Sequence, residues 1–293
     1  MSLRINSNIA AMNAYRNLST NDKLMQGSLE KLSSGLRINK AADDAAGLSI
    51  SQGLQAQIGG LTVAARNAQD GVNVVQIADG ALNESGAILQ RMRDLAVQAA
   101  NGGTQDANAQ GAAQTEFAQL QTELDRIATT TSFGGQKLLD VGIAGSVGYQ
   151  GDFQVGANNS AEDQILVDLD ASAFGTGTAT GFDSAGLGVA AATTKVDTTA
   201  SAKTAIDDLD NAIKNLSTAR ATLGAYQNRF EHTINNLNVQ VENLSASKSA
   251  ITDTDMAQEM VKFTRSQILS QAGTAMLAQA NQAPQNVLQL LRG

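Results

Sequence analysis

Cysteine and tryptophan are absent from this chain of 293 residues, and Pro284 is its single proline. The missing thiols exclude a disulfide scaffold, a thiol nucleophile and a thiolate metal site. Aromatic residues make up only 3% of the sequence although 42% of it is hydrophobic, whereas a compact enzyme of this size usually carries more large rings in its core. Because proline is the main breaker of helices, this composition favours long helices packed side by side.

Basic residues are also in short supply. The net charge is −8 and the sequence pI is near 4.7, which argues against a nucleic-acid binder, since such a protein normally shows a basic face. Residues 141–200 hold one basic and seven acidic side chains, as is typical of a solvated surface. Residues 1–40 hold six basic and two acidic side chains, which raises the question of a targeting signal.

Long apolar runs are missing too. Asn6, Ser7, Asn8 and Asn13 interrupt the apolar core of roughly 7–15 residues that a secretory signal needs. No window approaches the roughly 20 apolar residues of a membrane span, so we expect no membrane insertion. The residues alone favour a cytosolic protein.

The N-terminal segment, residues 3–32, has the spacing of an amphipathic helix, with many apolar residues three or four positions apart. Its stripe consists of Leu3, Ile5, Ile9, Met12, Leu18, Met25, Leu29 and Leu32. Such a helix is marginal alone and needs a partner. Ser33, Ser34 and Gly35 end it, and Asp43 and Asp44 precede the next helical region, as acidic residues do near a helix start.

Three further helices follow from apolar spacing. One covers residues 58–99, with Asp79 and Gly86 weakening its register, and stops at Asn101-Gly102-Gly103. Another carries Ala113, Phe117, Leu120, Leu124 and Ile127 and ends in residues 129–135. Residues 204–247 fit one heptad frame that only Arg220 and Gln227 break, and a repeat this long implies packing against other long helices.

The remaining segments complete the architecture. Alternating residues near 147–155 and 165–169 predict a β-hairpin, and residues 171–199 predict an exposed loop or a few weak strands. A last helix begins after Asp253-Thr254-Asp255 and ends in an unprotected apolar tail. The prediction is a mainly α chain, a long antiparallel helical bundle or coiled coil with a small β-hairpin region, whose N- and C-terminal helices pair.

Candidate chemistry is sparse. His232 is the only histidine, and no nucleophile elbow or Gly-rich oxyanion loop lies near it in the sequence. The pairs Asp43-Asp44 and Asp207-Asp208 are adjacent, so on a helix their carboxylates diverge. We therefore expect no enzymatic activity, no catalytic residue, no cofactor and no metal site.

Two stretches carry a resemblance to a known family. LSSGLRINKAADDAAGLSIS, from Leu32, and AQANQAPQNVLQLL, from Ala278 to Leu291, resemble the two ends of bacterial flagellin. The similarity covers roughly residues 1–140 and 200–293. It implies a subunit that self-assembles into the flagellar filament used for swimming.

The resemblance also implies a division of the chain. Residues 1–35 and 255–293 are expected to be core helices that fold on docking, residues 36–139 and 201–254 the helices of a rod domain, and residues 140–200 a hairpin and short variable surface that faces solvent. The expected polymerisation interface consists of Ile5, Ile9, Met12, Leu29, Leu32, Phe263, Leu269, Met276, Val287, Leu288, Leu290 and Leu291.

Partners and location are implied in the same way. The expected partners are other copies of the chain, the flagellar export apparatus and an export chaperone, and the filament cap and hook-junction proteins. Export through the flagellar channel, without a cleaved signal peptide, would replace the cytosolic location by an extracellular one.

One more segment resembles a region of the family that an animal Toll-like receptor recognises. It is LQRMRDLAVQA, from Leu89 to Ala99, in which Met92 and Asp94 replace a more usual Val and Glu. The residues that match the recognised surface are Leu89, Gln90, Arg91, Leu95 and Glu116.

Two alternatives remain at this point. A hook–filament junction protein would share the ends and the assembly chemistry, although the intact AQANQAPQNVLQLL tail favours the filament subunit. A secreted hydrolase on a coiled-coil stalk belongs to another class, and the lone histidine and the absence of cysteine count against it.

Overall fold

The computed structural model describes residues 8–103, 106–140, 149–169 and 181–290, with side chains up to Gln282. Most of these residues are helical, which confirms the predicted fold class. The helices are α1 (Ile9–Ser34), α2 (Ala45–Ala99), α3 (Ala107–Thr130), α4 (Thr199–Thr252) and α5 (Met256–Leu290). The strands are β1 (Ser132–Phe133), β2 (Gln136–Lys137), β3 (Gln150–Gln154) and β4 (Gln164–Asp168).

The chain divides into two compact units. The terminal unit comprises the described residues of Met1–Ile58 and Glu242–Gly293, and the central unit comprises those of Gly59–Val241. α2 and α4 each contribute residues to both units.

In the terminal unit, local signals set the ends of α1. The Asn8 side chain accepts a hydrogen bond from the Ala11 N–H at 3.0 Å, which is the usual role of an N-cap asparagine. Gly35 has φ 72° and its N–H donates to the Lys31 carbonyl, a helix end that needs the left-handed freedom of glycine. The joint predicted at residues 33–35 is confirmed.

The second joint lies beside the first. The Arg37 N–H donates to the Thr252 carbonyl at 2.7 Å, and the Thr254 N–H donates to the Gly35 carbonyl at 3.0 Å. These bonds bring the end of α1 next to the start of α5, and the two helices then pack antiparallel along their length. The prediction that the terminal helices pair is confirmed.

The helix predicted over residues 58–99 begins earlier, at Ala45. The Asp44 carboxylate accepts the Gly47 N–H at 2.9 Å, and the Asp43 carboxylate accepts the N–H groups of Asn39 and Lys40. The hydrogen bonds from Lys40 and then Asn39 hold the pKa of Asp43 below its usual value. The two acids therefore shape the turn before α2, as their position in the sequence suggested.

In the central unit, α2 packs antiparallel to α4 over an apolar core that α3 also covers. Two of the residues that weaken the sequence periodicity face one another: Asp79 accepts from the Arg220 Nε at 2.8 Å. Gly86 instead faces an apolar residue, since a β-carbon there would lie 3.1 Å from the Leu216 Cδ2. These breaks in the apolar patterns thus correspond to one ion pair and one close approach between the same helices.

The β-hairpin is confirmed. β3 and β4 pair antiparallel, with Phe153 opposite Ile165 and Gly151 opposite Val167. Ile165 and Val167 are buried in the core while Leu166 between them is exposed, so the pleat alternates as the sequence predicted. A second, smaller hairpin, β1–β2, turns at Gly134 and Gly135, whose φ values are 58° and 86°. The sequence analysis took these glycines only as a helix end.

The prediction that residues 140–200 face solvent is wrong for much of the described part. Phe182, Leu187, Val189 and Val196 are at most 3% exposed, and no strand forms within residues 181–198. Polar side chains of α3 hold this segment in place.

Those side chains bind its backbone. The Gln121 Nε2 donates to the Val189 carbonyl at 2.7 Å, the Asp125 carboxylate accepts the Ser184 N–H at 2.8 Å, and the Gln114 Oε1 accepts the Val196 N–H at 2.6 Å. Small residues gave the segment no periodicity, and the helix that anchors it lies about 60 or more residues away in the sequence.

Gly71 provides a test of the α2–α4 packing. A β-carbon there would lie 2.6 Å from the Phe230 Cζ, whereas one on Gly80 would meet nothing within 4 Å. We expect Gly71→Ala to lower the free energy of unfolding by about 1–3 kcal/mol, because the buried ring has no room to move. Gly80→Ala, on the same helix, should raise it by about 0.5–1 kcal/mol. Urea unfolding followed by circular dichroism measures both, and equal shifts in the two variants would contradict this packing.

Candidate assembly surface

The contact between α1 and α5 follows a seven-residue repeat on both helices. On α5, among residues 256–282, the side chains that are not exposed are Glu259, Phe263, Ser266, Ser270, Gly273, Leu277 and Ala280. On α1 the matching positions are Ala11, Ala14, Leu18, Asn21, Met25, Ser28 and Leu32. The spacing alternates between three and four residues, as in a coiled coil. We call these two rows together the seam.

The most buried positions of the seam are polar. Asn21 and Ser28 on α1 and Glu259 and Ser266 on α5 are the buried residues of the described parts of these helices. The Asn21 Nδ2 donates to the Ser266 carbonyl at 2.5 Å, and the Ser28 Oγ donates to the Glu259 Oε1 at 2.6 Å. Both helices therefore present hydrogen-bonding groups where an ordinary coiled coil presents Leu or Ile.

Two more bonds extend this pattern along the helices. The Asn8 Nδ2 donates to the Ala280 carbonyl at 2.8 Å, and the Ser270 Oγ donates to the Asp22 Oδ1 at 3.1 Å. Both bonds are partly buried, and the bond between Ser270 and Asp22 joins two side chains, so it depends on which residues of the two helices face each other.

Glu259 carries the charge of the seam. Its side chain is 6% exposed, and its Oε2 accepts a hydrogen bond from the Lys262 Nζ at 2.9 Å. Burial alone would raise the pKa of this carboxyl, but the hydrogen bonds from Ser28 and Lys262, with a smaller contribution from Lys31, hold the pKa below its ordinary value of 4.5. Glu259 is therefore a buried, hydrogen-bonded carboxylate at neutral pH.

The outer faces of the same two helices are apolar. Their large side chains are between 47% and 67% exposed: Ile9, Met12, Tyr15, Leu24 and Leu29 on α1, and Met256, Met260, Val261, Ile268, Leu269 and Met276 on α5. We call this set the outer stripes. So much exposed apolar surface marks a site of interaction with another molecule.

Each outer stripe forms a shallow groove. On α5 it is lined by Met260, Val261, Thr264, Arg265, Ile268 and Leu269, with a volume of about 450 Å³. Beside α1, Ala11, Met12, Tyr15 and Lys23 line a groove of about 540 Å³ together with Leu277 of α5. Both grooves carry arginine or lysine at their rims.

The predicted interface residues separate into two groups. Ile9, Met12, Leu29, Leu269 and Met276 belong to the outer stripes, whereas Leu32 and Phe263 lie in the seam. The sequence analysis merged the two faces into one stripe, because on a helix both faces carry apolar residues at intervals of three and four. Ile5 and Leu291 lie outside the described residues, as do the side chains of Val287, Leu288 and Leu290.

The sequence analysis did not include Tyr15, Leu24 and Val261 in the interface. Their signal was present in the strict heptad of the seam, since the apolar residues that fall outside that heptad must face outwards. An Asn, three Ser and a Glu at heptad positions conceal the frame from a search for apolar repeats.

A second candidate surface lies on α2 and α3. Gln90, Arg91 and Glu116 are exposed, and the Arg91 Nη2 and Nε bind the Glu116 Oε1 at 2.6 and 2.8 Å. Leu89 and Leu95, which the resemblance also assigned to this surface, are at most 3% exposed and pack in the core. The five residues thus comprise an exposed polar group and two core leucines beneath it.

His232 is exposed on α4. It borders a groove of about 420 Å³ with Arg229 and the acidic pair Glu162 and Asp163. Across the parts of the chain that the structure describes, no three His, Asp or Glu side chains come together as a metal site would require. In the same parts, every helix is too short or too polar to cross a membrane.

Comparisons with known proteins match both ends of the chain to one family. Residues 5–143 match the bacterial flagellin N-terminal helical region, and residues 206–291 match the bacterial flagellin C-terminal helical region. The flagellin of Bacillus subtilis (strain 168) is 48% identical over 99% of this chain and 100% of its own length. The flagellin of Halalkalibacterium halodurans is 50% identical over 98% of this chain and 99% of its own length.

Among solved structures, the crystal structure of Bacillus cereus flagellin is 33% identical to this chain. It covers 62% of this chain and 94% of its own, with a TM-score of 0.48.

The seam predicts an acid-sensitive pairing of α1 with α5. Because the pKa of Glu259 is lowered in the folded chain, its charge stabilises the fold above the ordinary pKa, and that contribution is lost as the pH falls through the lowered value. We expect the parent chain to lose helicity between about pH 5 and pH 3 more steeply than Glu259→Gln. Circular dichroism at 222 nm during urea unfolding at each pH measures the difference. An identical pH dependence in parent and variant would contradict the assignment.

Proposed function

This chain belongs to the bacterial flagellin family, and on that premise we propose that its outer stripes are the surfaces by which one filament subunit docks on the next. As a flagellin it is a structural subunit of the flagellar filament, which is an extracellular polymer. The two full-length relatives near 50% identity are flagellins, and none of the matches favours a hook–filament junction protein or a hydrolase.

The observation that carries the proposal is the inverted polarity of the terminal helices. Polar groups are buried in the seam while large apolar groups are exposed outside it. Covering a half-exposed Leu or Met gains about 1 kcal/mol. The eleven residues of the outer stripes would then contribute on the order of 10 kcal/mol per subunit before the cost of association.

The geometry of such docking favours a fibre. The stripes on α1 and α5 are different surfaces, so a contact between the α1 stripe of one copy and the α5 stripe of another is heterologous, and repeating it without closure into a ring produces a helical fibre. In this proposal residues 1–35 and 255–293 form the filament core and become fully ordered on docking. Residues 36–254 form the outer, rod-like part. Ile5, Val287, Leu288, Leu290 and Leu291 extend the docking surface at the two ends of the chain.

Family membership also supports the remaining partners. We assign to the chain an export route through the flagellar channel without a cleaved signal peptide, an export chaperone that covers the terminal helices beforehand, and contacts with the cap and hook-junction proteins at the filament ends. The outer stripes suit a chaperone, because they are apolar and would otherwise be exposed in the cell.

Seeded growth tests the docking surface. Purified subunit is added to short filament fragments, and length is followed by electron microscopy. We expect the triple variant Met260→Ser, Ile268→Ser and Leu269→Ser to weaken subunit addition roughly a hundredfold, since it removes about 3 kcal/mol of apolar contact. A chain that lacks residues 287–293 should also fail to elongate the seeds.

The matched control is Gln267→Ser, Gln271→Ser and Thr274→Ser, which alters three exposed polar side chains of the same helix. It should grow as the parent does. Equal growth of the apolar triple variant and the parent would rule out this stripe as a docking surface.

We also propose that the exposed part of the α2–α3 surface is recognised by an animal Toll-like receptor. Gln90, Arg91 and Glu116 would make the contact, and the Arg91–Glu116 ion pair would fix their positions. Leu89 and Leu95, which are buried, would act by holding the helix rather than by touching the receptor. Recognition would be a property of the host and not the role of the protein itself.

Activation of receptor reporter cells distinguishes residues that contact the receptor from residues that only hold the helix in place. Arg91→Ala should lower activation at least tenfold with no change in unfolding, because exposed ion pairs contribute little to stability. Arg126→Ala is the matched control, since Arg126 is also exposed and paired, with Glu123 on α3, and it should activate normally. Leu89→Ala should cost about 2–5 kcal/mol of stability. Normal activation by Arg91→Ala would remove this surface from recognition.

A further inference from the structure

The seam contains more polar groups than are needed to hold two helices together. Four buried polar residues lie in two rungs: Asn21 with the backbone carbonyl of Ser266, and Ser28 with the Glu259 side chain. The two rungs are seven residues apart on each helix, and they cross between α1 and α5 in antiparallel order. Apolar residues at these positions would make a more adhesive contact.

The apolar positions of the seam cannot fix the alignment of the helices by themselves. Ala11, Leu18 and Met25 on α1 are also seven residues apart. Sliding one helix by seven residues therefore places one small or apolar side chain where another had been. A heptad repeat is degenerate to such slips unless a polar position breaks the degeneracy.

The polar residues of the seam distinguish the observed alignment from the slipped ones. A slip of seven residues in one direction places Asn21 opposite Glu259 and leaves Ser28 without a partner on α5. A slip in the other direction places Ser28 opposite Ser266 and moves Glu259 beyond the end of α1. In either case the hydrogen bond between Ser28 and Glu259 is lost, so the observed alignment is the only one of the three that keeps this pair of buried side chains together.

We propose that Ser28 and Glu259 determine the register in which α1 pairs with α5, and that they select this alignment over the alignments displaced by one heptad. These residues select one alignment of the two helices and do not serve to strengthen their pairing. The register matters because it fixes which residues of the outer stripes lie side by side, and therefore which surface a neighbouring subunit meets.

The absence of cysteine allows the register to be measured directly. A β-carbon placed on Gly273 lies 3.9 Å from the Leu18 Cβ, which is within the range of about 3.5–4.5 Å that a disulfide bridges. Leu18→Cys with Gly273→Cys therefore reports the observed register. Ala11→Cys or Met25→Cys, each with Gly273→Cys, reports a slip of seven residues in one or the other direction.

The three reporters are oxidised in the full-length chain, both in solution and after incorporation into seeded filaments, and the intrachain disulfide is quantified by non-reducing gels. We expect the observed-register reporter to close at least tenfold faster than either slip reporter. In the background Ser28→Leu and Glu259→Leu, we expect at least one slip reporter to close within threefold of it. Asn17→Leu, which adds an apolar side chain at an exposed position of α1, should leave the tenfold preference unchanged.

Three results would overturn the inference. The double-leucine background could keep the tenfold preference, which would assign the register to other contacts. None of the three reporter disulfides could form in that background, which would make the polar residues necessary for the pairing of α1 with α5 itself. The parent could show no preference at all. Filament growth is scored separately, so a chain that pairs in register and fails to elongate seeds contradicts the proposed docking surface and leaves this inference standing.

Discussion

The buried hydrogen bond between Ser28 and Glu259 sets the character of the terminal unit. A carboxylate removed from water requires partners, and here a hydroxyl on α1 and an ammonium on α5 supply them. Because the most buried positions of the helix pair are used for polar contacts, many large apolar residues of α1 and α5 are left on the outside. The terminal unit is thus incomplete as a hydrophobic structure until another molecule covers it, which is the property that a polymer subunit needs.

The central unit follows the opposite rule. Its helices bury Leu82, Leu89, Phe117, Leu209 and Phe230 in one continuous core, and the polar side chain of Gln121, which is buried as well, binds the backbone of Val189. Arg220 and Asp79 are each about two-fifths exposed, so their ion pair adds little stability. Exposed apolar side chains also occur here, such as Ile77 and Leu166, but the core beneath them is closed. One chain therefore combines a unit that is complete in itself with a unit that depends on contact.

The sequence predicted the fold well because long helices leave strong periodic signals. The glycine at position 35, the acids at 43 and 44 and the heptads of α4 each determine their element through nearby residues. Residues 181–198 could not be predicted, since Gln114, Gln121 and Asp125 on a distant helix decide their conformation. The candidate assembly surface was predicted only in part. Apolar spacing identified α1 and α5 as interacting helices, but it could not tell which face meets the partner helix and which face meets another subunit.

That ambiguity has a physical cause. Hydrophobic periodicity does not say what covers an apolar face, and in the proposed assembly each terminal helix is covered on two sides by different partners. The distinguishing information lies in the polar residues. The spacing of core positions is combined with polar side chains at Asn21, Ser28, Glu259 and Ser266. Polar side chains can occupy core positions only where a facing helix offers hydrogen-bonding groups. Polar heptads that interleave with apolar stripes therefore distinguish, in the amino-acid sequence itself, the inner contacts of such helices from their outer contacts.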